Sequence, residues 1–301
     1  MSAPVPAGTV RAGLVSPRPV PAALLRHAVT VVEQVADAVK VTDTSRPGWY
    51  GLAVSGTLRP GARPGPAREE LRGPATALGV DTALVTGELA TDGVGLLVMD
   101  VDSTLITAEV IELLAEHAGT RDLVADVTER AMRGELDFAA SLRERVAMLA
   151  GLDAGALADV RAAVTLTPGA RELVDAVHDA GGRVGVVSGG FAEVVAPLAT
   201  SLGIDHMVAN VLEVDDGRLT GRTAGAVVDR TAKERHLREW ARADGVALER
   251  VVAVGDGAND LDMLAAAGLG VAFCAKPVVQ AEADAAVSFP RLDAVLGLLG
   301  R

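Results

Sequence analysis

Leu96-Leu97-Val98-Met99-Asp100-Val101-Asp102-Ser103-Thr104 is the stretch that decides the fold. A run of apolar residues, long enough for a short strand, ends in two carboxylates at i and i+2. Side chains two apart in extended chain point the same way. Asp100 and Asp102 therefore share one side of the chain, just past the carboxyl end of a buried strand. Open α/β sheets bind their ligands at that edge. Two acids there repel each other unless a cation is bound, and Mg²⁺, which favours oxygen ligands, suits them. Asp-x-Asp alone also describes a strand ending in a polar turn. Its weight comes from three later segments with matching chemistry.

Around this stretch, residues 94–301 alternate short apolar runs with amphipathic ones. Strands are expected at Val94–Met99, Val184–Val187, Met207–Ala209, Val251–Val254 and Leu269–Ala272. Helices fit at Gly169–Ala180, Glu193–Leu202, Lys233–Ala243 and Asp260–Ala267, most with a glycine at or just past the end, the usual stop. The alternation implies an α/β fold, a Rossmann-like parallel sheet with helices on both faces. Between Met99 and Val184 the rhythm breaks. Ile106–His117, Arg121–Met132, Phe138–Leu149 and Ala154–Ala163 all read as helices, a helical cap at about 106–165 inserted after the first strand, placed to act as a lid. Asp215-Asp216-Gly217 reads as a hairpin turn.

Residues 1–90 read as a smaller α+β unit. The order is strand (Val10–Ser16), helix (Pro21 to about Val35), strand (Ala36–Thr44), strand (Trp49–Leu58), helix (Ala67–Leu78), strand (Val80–Leu89). That is the ferredoxin-like order. Its pattern resembles the ACT-type regulatory domains of amino-acid enzymes, without a residue signature. Ala90-Thr91-Asp92-Gly93 reads as a linker, and every candidate catalytic residue follows it. The unit is therefore expected to be dispensable for folding and activity of the rest.

The second chemical segment is Val186-Val187-Ser188-Gly189-Gly190-Phe191. A strand ending in Ser-Gly-Gly before a helix offers a hydroxyl and free N–H groups to phosphate, although an ordinary turn has the same composition. The third is Lys233, one of only three lysines, with Lys40 and Lys276, among 28 basic residues. The fourth is Val254-Gly255-Asp256-Gly257-Ala258-Asn259-Asp260, another apolar strand ending in acids and an amide.

As a set, Asp-x-Asp, Ser-Gly-Gly, Lys and Gly-Asp-Gly-x-Asn-Asp resemble the four motifs of the haloacid dehalogenase superfamily of phosphohydrolases, over residues 94 to about 290. A finer resemblance is to its phosphoserine phosphatase family. Asp100 to Thr104 fits that family's first motif, with Val101 where an aromatic residue or Met is frequent. Glu109 stands at the family's substrate-binding glutamate. Met132 to Phe138 with Ser141 to Val146 resembles the cap segment, and Arg145 matches the arginine that holds the substrate carboxylate.

The resemblance implies a Mg²⁺ held by Asp100, Asp256 and the backbone carbonyl of Asp102. It implies Asp100 as nucleophile, forming an aspartyl-phosphate, and Asp102 as acid and then base. Lys233, Ser188 and the Gly189 N–H would stabilise the phosphoryl oxygens. Asn259 would hold the phosphate, Asp260 would support the metal's surroundings, and Glu109 would meet the substrate ammonium. The implied reaction is hydrolysis of O-phospho-L-serine. The same motifs leave open a phosphotransferase to an alcohol such as homoserine, and, if catalysis were lost, an amino-acid sensor. Intact Asp100, Asp102, Lys233 and Asp256 disfavour the sensor. A sugar phosphatase suits Glu109 and Arg145 less well than a zwitterion does.

Composition narrows the rest. Apolar residues are 50% of 301 and aromatics 2%, so Val, Leu and Ala build the core. A net charge of −12 disfavours nucleic acid, which needs a basic face. Cys274 is the single cysteine, so there is no internal disulfide and a reducing compartment is expected. It is expected as a small buried residue. The five histidines have no zinc spacing, and His117 and His178 are expected to be solvated. Met263 to Ala275, the longest apolar run, is too short to span a bilayer. With no basic and apolar leader, a cytoplasmic, membrane-free protein is expected. A homodimer stays open.

Overall fold

The computed structural model describes residues 8–132 and 135–301. The amino-terminal part runs β1 (Thr9–Ser16), α1 (Ala22–Glu33), β2 (Ala36–Asp43), β3 (Tyr50–Leu58), α2 (Pro64–Ala77), β4 (Asp81–Thr86) and α3 (Gly87–Thr91). Its antiparallel sheet has the order β2-β3-β1-β4. Val10, Ala12 and Leu14 of β1 pack on Leu24, Ala28 and Val31 of α1 and Leu71 of α2. These alternate positions form one face of the strand.

The remainder begins with β5 (Leu96–Met99), whose four residues are all buried. Four helices follow: α4 (Val110–Ala118), α5 (Arg121–Met132), α6 (Phe138–Ala147) and α7 (Ala156–Ala163). They are the inserted cap. Arg133 and Gly134 of the expected cap segment lie outside the described residues. The chain then returns through α8 (Ala170–Asp179), β6 (Arg183–Phe191), α9 (Ala192–Leu202), a hairpin of β7 (His206–Asp215) and β8 (Arg218–Ala224), and α10 (Arg230–Ala243). It ends with β9 (Val251–Gly255), α11 (Leu261–Ala266), β10 (Leu269–Phe273), α12 (Pro277–Glu282), β11 (Ala285–Val287) and α13 (Ala294–Leu298). The seven strands are ordered β11-β10-β9-β5-β6-β7-β8. All neighbours pair parallel except β7 with β8. The central strands β9, β5 and β6 are adjacent, so their carboxyl ends converge on one point.

Two expectations need correction. The junction at Ala90 is not a loose linker: Ala90 lies in α3 and is fully buried. Nor is the amino-terminal part packed separately from the rest. Val15, Trp49, Ala83, Val85 and Leu89 belong to the same apolar cluster as Leu97, Leu292 and Val295. Two glycines make the approach close. A β-carbon on Gly13 would overlap the carbonyls of Gly297 and Leu298, and one on Gly297 would fall 2.5 Å from Trp49.

Cys274 departs from its expected burial. It is exposed, with φ of +45° in the turn after β10. His178 is not simply solvated, because its Nε2 lies 2.9 Å from Asp205 Oδ2. Among the described residues, no helix is long and apolar enough to cross a membrane.

Candidate active site

Asp100 stands one residue beyond β5, and its N–H still donates to Val254 O, extending the ladder to β9. The chain then turns sharply. Ser103 takes φ of +56°, a region that L-residues rarely enter. This turn lets Asp100 and Asp102 both face a cavity of about 160 Å³. Glu109, Arg145, Gly189, Asp256 and Asn259 face it as well. Ile111, Phe138, Leu142, Gly190 and Phe191 complete the wall. The cap thus contributes Arg145, Phe138 and Leu142, and the sheet edge contributes the acids.

Lys233 lies beneath the cavity. The Asp229 carboxylate accepts the Ala232 N–H and caps α10, which sets the lysine in the first turn of the helix. Its Nζ is 2.8 Å from Asp100 Oδ1 and 2.6 Å from Asp260 Oδ1, with the whole side chain buried. Burial alone would lower its pKa, but the two carboxylates outweigh that and raise it. Asp260 Oδ2 accepts the Gly257 N–H at 3.0 Å. Both oxygens of Asp260 are therefore committed to holding the loop and the lysine.

The remaining acids are short of positive charge. Burial first, then the Asp260 charge, push the Asp100 carboxyl well above the usual range, and Lys233 only partly offsets this. Asp256 rises to about 6, from burial and then Asp260 and Glu109. Asp102 rises to about 7, from burial and then Glu109, although the Val110 N–H donates to its Oδ1 at 3.0 Å. Oxygens of Asp100, Asp256 and Asp260 lie within 4.8 Å of one another. An all-carboxylate donor set with unmet demand for charge fits a hard divalent cation.

Opposite the acids is an anion-friendly loop. Ser188 is fully buried, and its Oγ accepts the Gly190 N–H at 2.8 Å. This bond fixes the loop beside the cavity. The Phe138 ring covers Gly189, where a β-carbon would fall 2.8 Å from its Cζ. Glu109 accepts a hydrogen bond from Ser103 Oγ at 2.8 Å. Arg145 Nε donates to Ser141 O at 3.3 Å. Burial lowers the Arg145 pKa, opposed by Glu109, Asp102 and Glu112.

Two supporting residues have no role in the sequence reading, although Thr104 lies within its first motif. Thr104 Oγ1 donates to Asp256 Oδ1 at 3.2 Å, tying the first motif to the last. Buried Asn210 donates from Nδ2 to Gly189 O at 2.8 Å and accepts the Val228 N–H at 2.9 Å. It joins the glycine loop to the segment leading into α10. Asn210 sits in a strand of mixed character, and only a fold places it between two motifs.

Comparison with known proteins identifies the family. A family model described as haloacid dehalogenase-like hydrolase matches residues 97–265. The chain is 52% identical over 284 residues to a phosphoserine phosphatase of Streptomyces coelicolor, covering 92% of this chain and 69% of that one. It is 51% identical over 250 residues to phosphoserine phosphatase SerB2 of Mycobacterium tuberculosis, covering 83% of this chain and 61% of that one. The Mycobacterium relative is thus the longer protein, and this chain spans less than two thirds of it. A solved structure of a phospho-aspartyl intermediate analogue of phosphoserine phosphatase superposes with a TM-score of 0.64 at 41% identity, over 67% of this chain and 97% of that one. The family-model match, the shared fold and the identity across most of its length make this chain a member of the phosphoserine phosphatase family of haloacid dehalogenase-like hydrolases.

Proposed function

We propose that this chain hydrolyses O-phospho-L-serine to L-serine and phosphate, the final step of serine biosynthesis, with Mg²⁺ as its metal. The observation that carries the reading is the composition of one cavity. Asp100 and Asp102 share it with Glu109 and Arg145, a carboxylate and a guanidinium matched to the ammonium and carboxylate of a zwitterion. The guanidinium fork suits a carboxylate in particular.

Lys233 and the Val101 N–H both contact Asp100 Oδ1, which leaves Oδ2 to attack phosphorus. The Asp100–phosphorus bond forms as the bond from phosphorus to the serine oxygen breaks. The Asp102 carboxyl, already near 7, gives its proton to that oxygen. Its carboxylate then takes a proton from the water that attacks the aspartyl-phosphate, and Asp100 is released. Lys233 and the Gly189 N–H stabilise charge on the phosphoryl oxygens, and Asn259 holds the phosphate. Ser188 serves by fixing the Gly190 peptide. Asp100, Asp256 and the Asp102 carbonyl would hold Mg²⁺, which supplies the charge that lets an anionic nucleophile approach a phosphate dianion. Asp260 holds Lys233 and the loop around that metal.

We read residues 1–90 as an ACT-like unit and 94–301 as the phosphatase domain, working in the cytoplasm. Phosphate release from phosphoserine, phosphothreonine, a sugar phosphate and a nucleotide, with Mg²⁺ and with chelator, tests the function. Phosphoserine is expected to lead the panel, and chelation to abolish turnover. Equal turnover of all four esters, or full activity in chelator, would contradict the reading.

A further inference from the structure

The cap is joined to the core by two short segments that meet in one β-bridge, Ile106 with Leu166. The outgoing segment, Leu105 to Thr107, and the returning segment, Thr165 to Thr167, pair antiparallel. Thr107 N donates to Thr165 O at 3.0 Å and Thr167 N to Leu105 O at 2.9 Å. Glu109 and the first helix of the cap follow directly. Any swing of the cap turns on this pair.

The returning segment is gripped by the carboxyl-terminal residues 291–293, which Trp49 of the amino-terminal part holds in turn. Leu292 N donates to Pro168 O at 2.8 Å. Gly169, with φ of +84°, packs so closely on Asp293 that a β-carbon would overlap its Oδ1. Asp293 is 1% exposed and Trp49 2%. Trp49 Nε1 donates to Asp293 Oδ2 at 2.9 Å. Arg291 holds the same carboxylate from the other side, at 2.9 and 2.8 Å. A buried contact therefore runs from the β2–β3 loop, through Asp293, to the base of the cap.

We propose that Trp49 is a positioning residue for the cap, through which residues 44–51 and the substrate cavity are coupled. An indole N–H bonded to a buried carboxylate is a strong, directional link. Asp293 cannot shift without disturbing Gly169 or losing that bond. The link fixes the hinge in the geometry that brings Arg145 and Glu109 over Asp100. This inference rests on the reading that the cap recognises phosphoserine. Coupling of this kind is reciprocal: closure of the cap on a ligand must be felt at the Trp49 loop.

The test uses the full chain with Mg²⁺. Hydrogen exchange is followed by mass spectrometry with and without orthovanadate, a phosphoryl mimic. The Thr44, Arg46, Trp49 and Gly51 amides are all hydrogen-bonded within the loop and report on it. Vanadate is expected to slow their exchange, and Trp49→Phe, which keeps a ring and removes the N–H, is expected to abolish that response. In the same variant KM for phosphoserine should rise about fivefold, the low end of typical coupling, with kcat less affected. KM for phenyl phosphate, which has no carboxylate or ammonium, should stay constant. Exchange at 44–51 that ignores vanadate in the unmodified chain would overturn the proposal, even if the variant did not fold. So would a folded variant whose KM for the two esters is unchanged or changes equally. Failure of the functional reading is separate: the unmodified chain would then not turn over phosphoserine at all, while the vanadate response would remain measurable.

Discussion

Gly190 lies directly against Asp102: a β-carbon at position 190 would fall 2.5 Å from Asp102 Oδ2. The glycine loop and the proposed acid are therefore one packed unit, not two motifs that happen to share a cavity. Gly190→Ala should push the carboxylate or the loop aside. A displacement of about 1 Å at a reacting group can cost roughly 100-fold in rate, so kcat should fall by about that factor. Steady-state kinetics check it, with circular dichroism confirming the fold. Near-normal kcat would show that the contact is slack.

Arg145 should decide substrate choice. Removing one partner of a desolvated charge pair costs about 2–5 kcal/mol. Arg145→Ala should lose that much in kcat/KM for phosphoserine and little for an ester without a carboxylate. Glu109→Gln should likewise penalise the ammonium-bearing substrate. An equal loss for both esters would assign Arg145 to cap folding instead.

Much of this site could be read before any fold was known. Asp100, Asp102 and Asp256 each end an apolar run, and the topology brings those runs together as neighbouring strands. Lys233 stood out because lysine is so rare here. The contacts that failed to show are those between distant segments. Trp49 and Asp293 are 244 positions apart, and neither has a local pattern that announces a partner. The short elements β11, α12 and α13 have three to six residues, too few to carry a readable periodicity. The exposure of Cys274 is not legible in composition, which says nothing of a turn with positive φ. Ser188 is expected at the phosphate, and its Oγ accepts the Gly190 N–H, a bond that leaves the hydroxyl proton for another acceptor.

The shared core predicts the outcome of truncation. Deleting residues 1–91 would expose α13, whose five residues are all buried, together with its apolar neighbours. The truncated chain should aggregate or melt well below the full chain. Thermal melting and size-exclusion chromatography measure this. A monodisperse fragment with unchanged Tm would contradict the packing described here.

Acid stability should depend on Asp205. It accepts hydrogen bonds from the Val184 N–H at 2.9 Å and Arg183 at 2.6 Å, and sits 2.9 Å from His178. Burial pushes its carboxyl up, but these bonds outweigh burial and hold it below the usual range. A carboxyl whose folded pKa is depressed stabilises fully above its unfolded value, about 3.9, and loses that stabilisation as pH falls through the folded value. Asp205→Asn should therefore lower Tm at neutral pH, and the gap should close below about pH 4. A gap that stays constant down to pH 3 would refute this assignment.

The central claim is that Asp100 carries the phosphoryl group. Its most direct test is acid quenching of the enzyme during turnover of phosphoserine, borohydride reduction of the acyl phosphate, and peptide mapping by mass spectrometry. The account predicts homoserine at position 100 and aspartate at 102 and 256, with no conversion in Asp100→Asn and no turnover by that variant. Conversion at another carboxylate, or sustained turnover by Asp100→Asn, would contradict it.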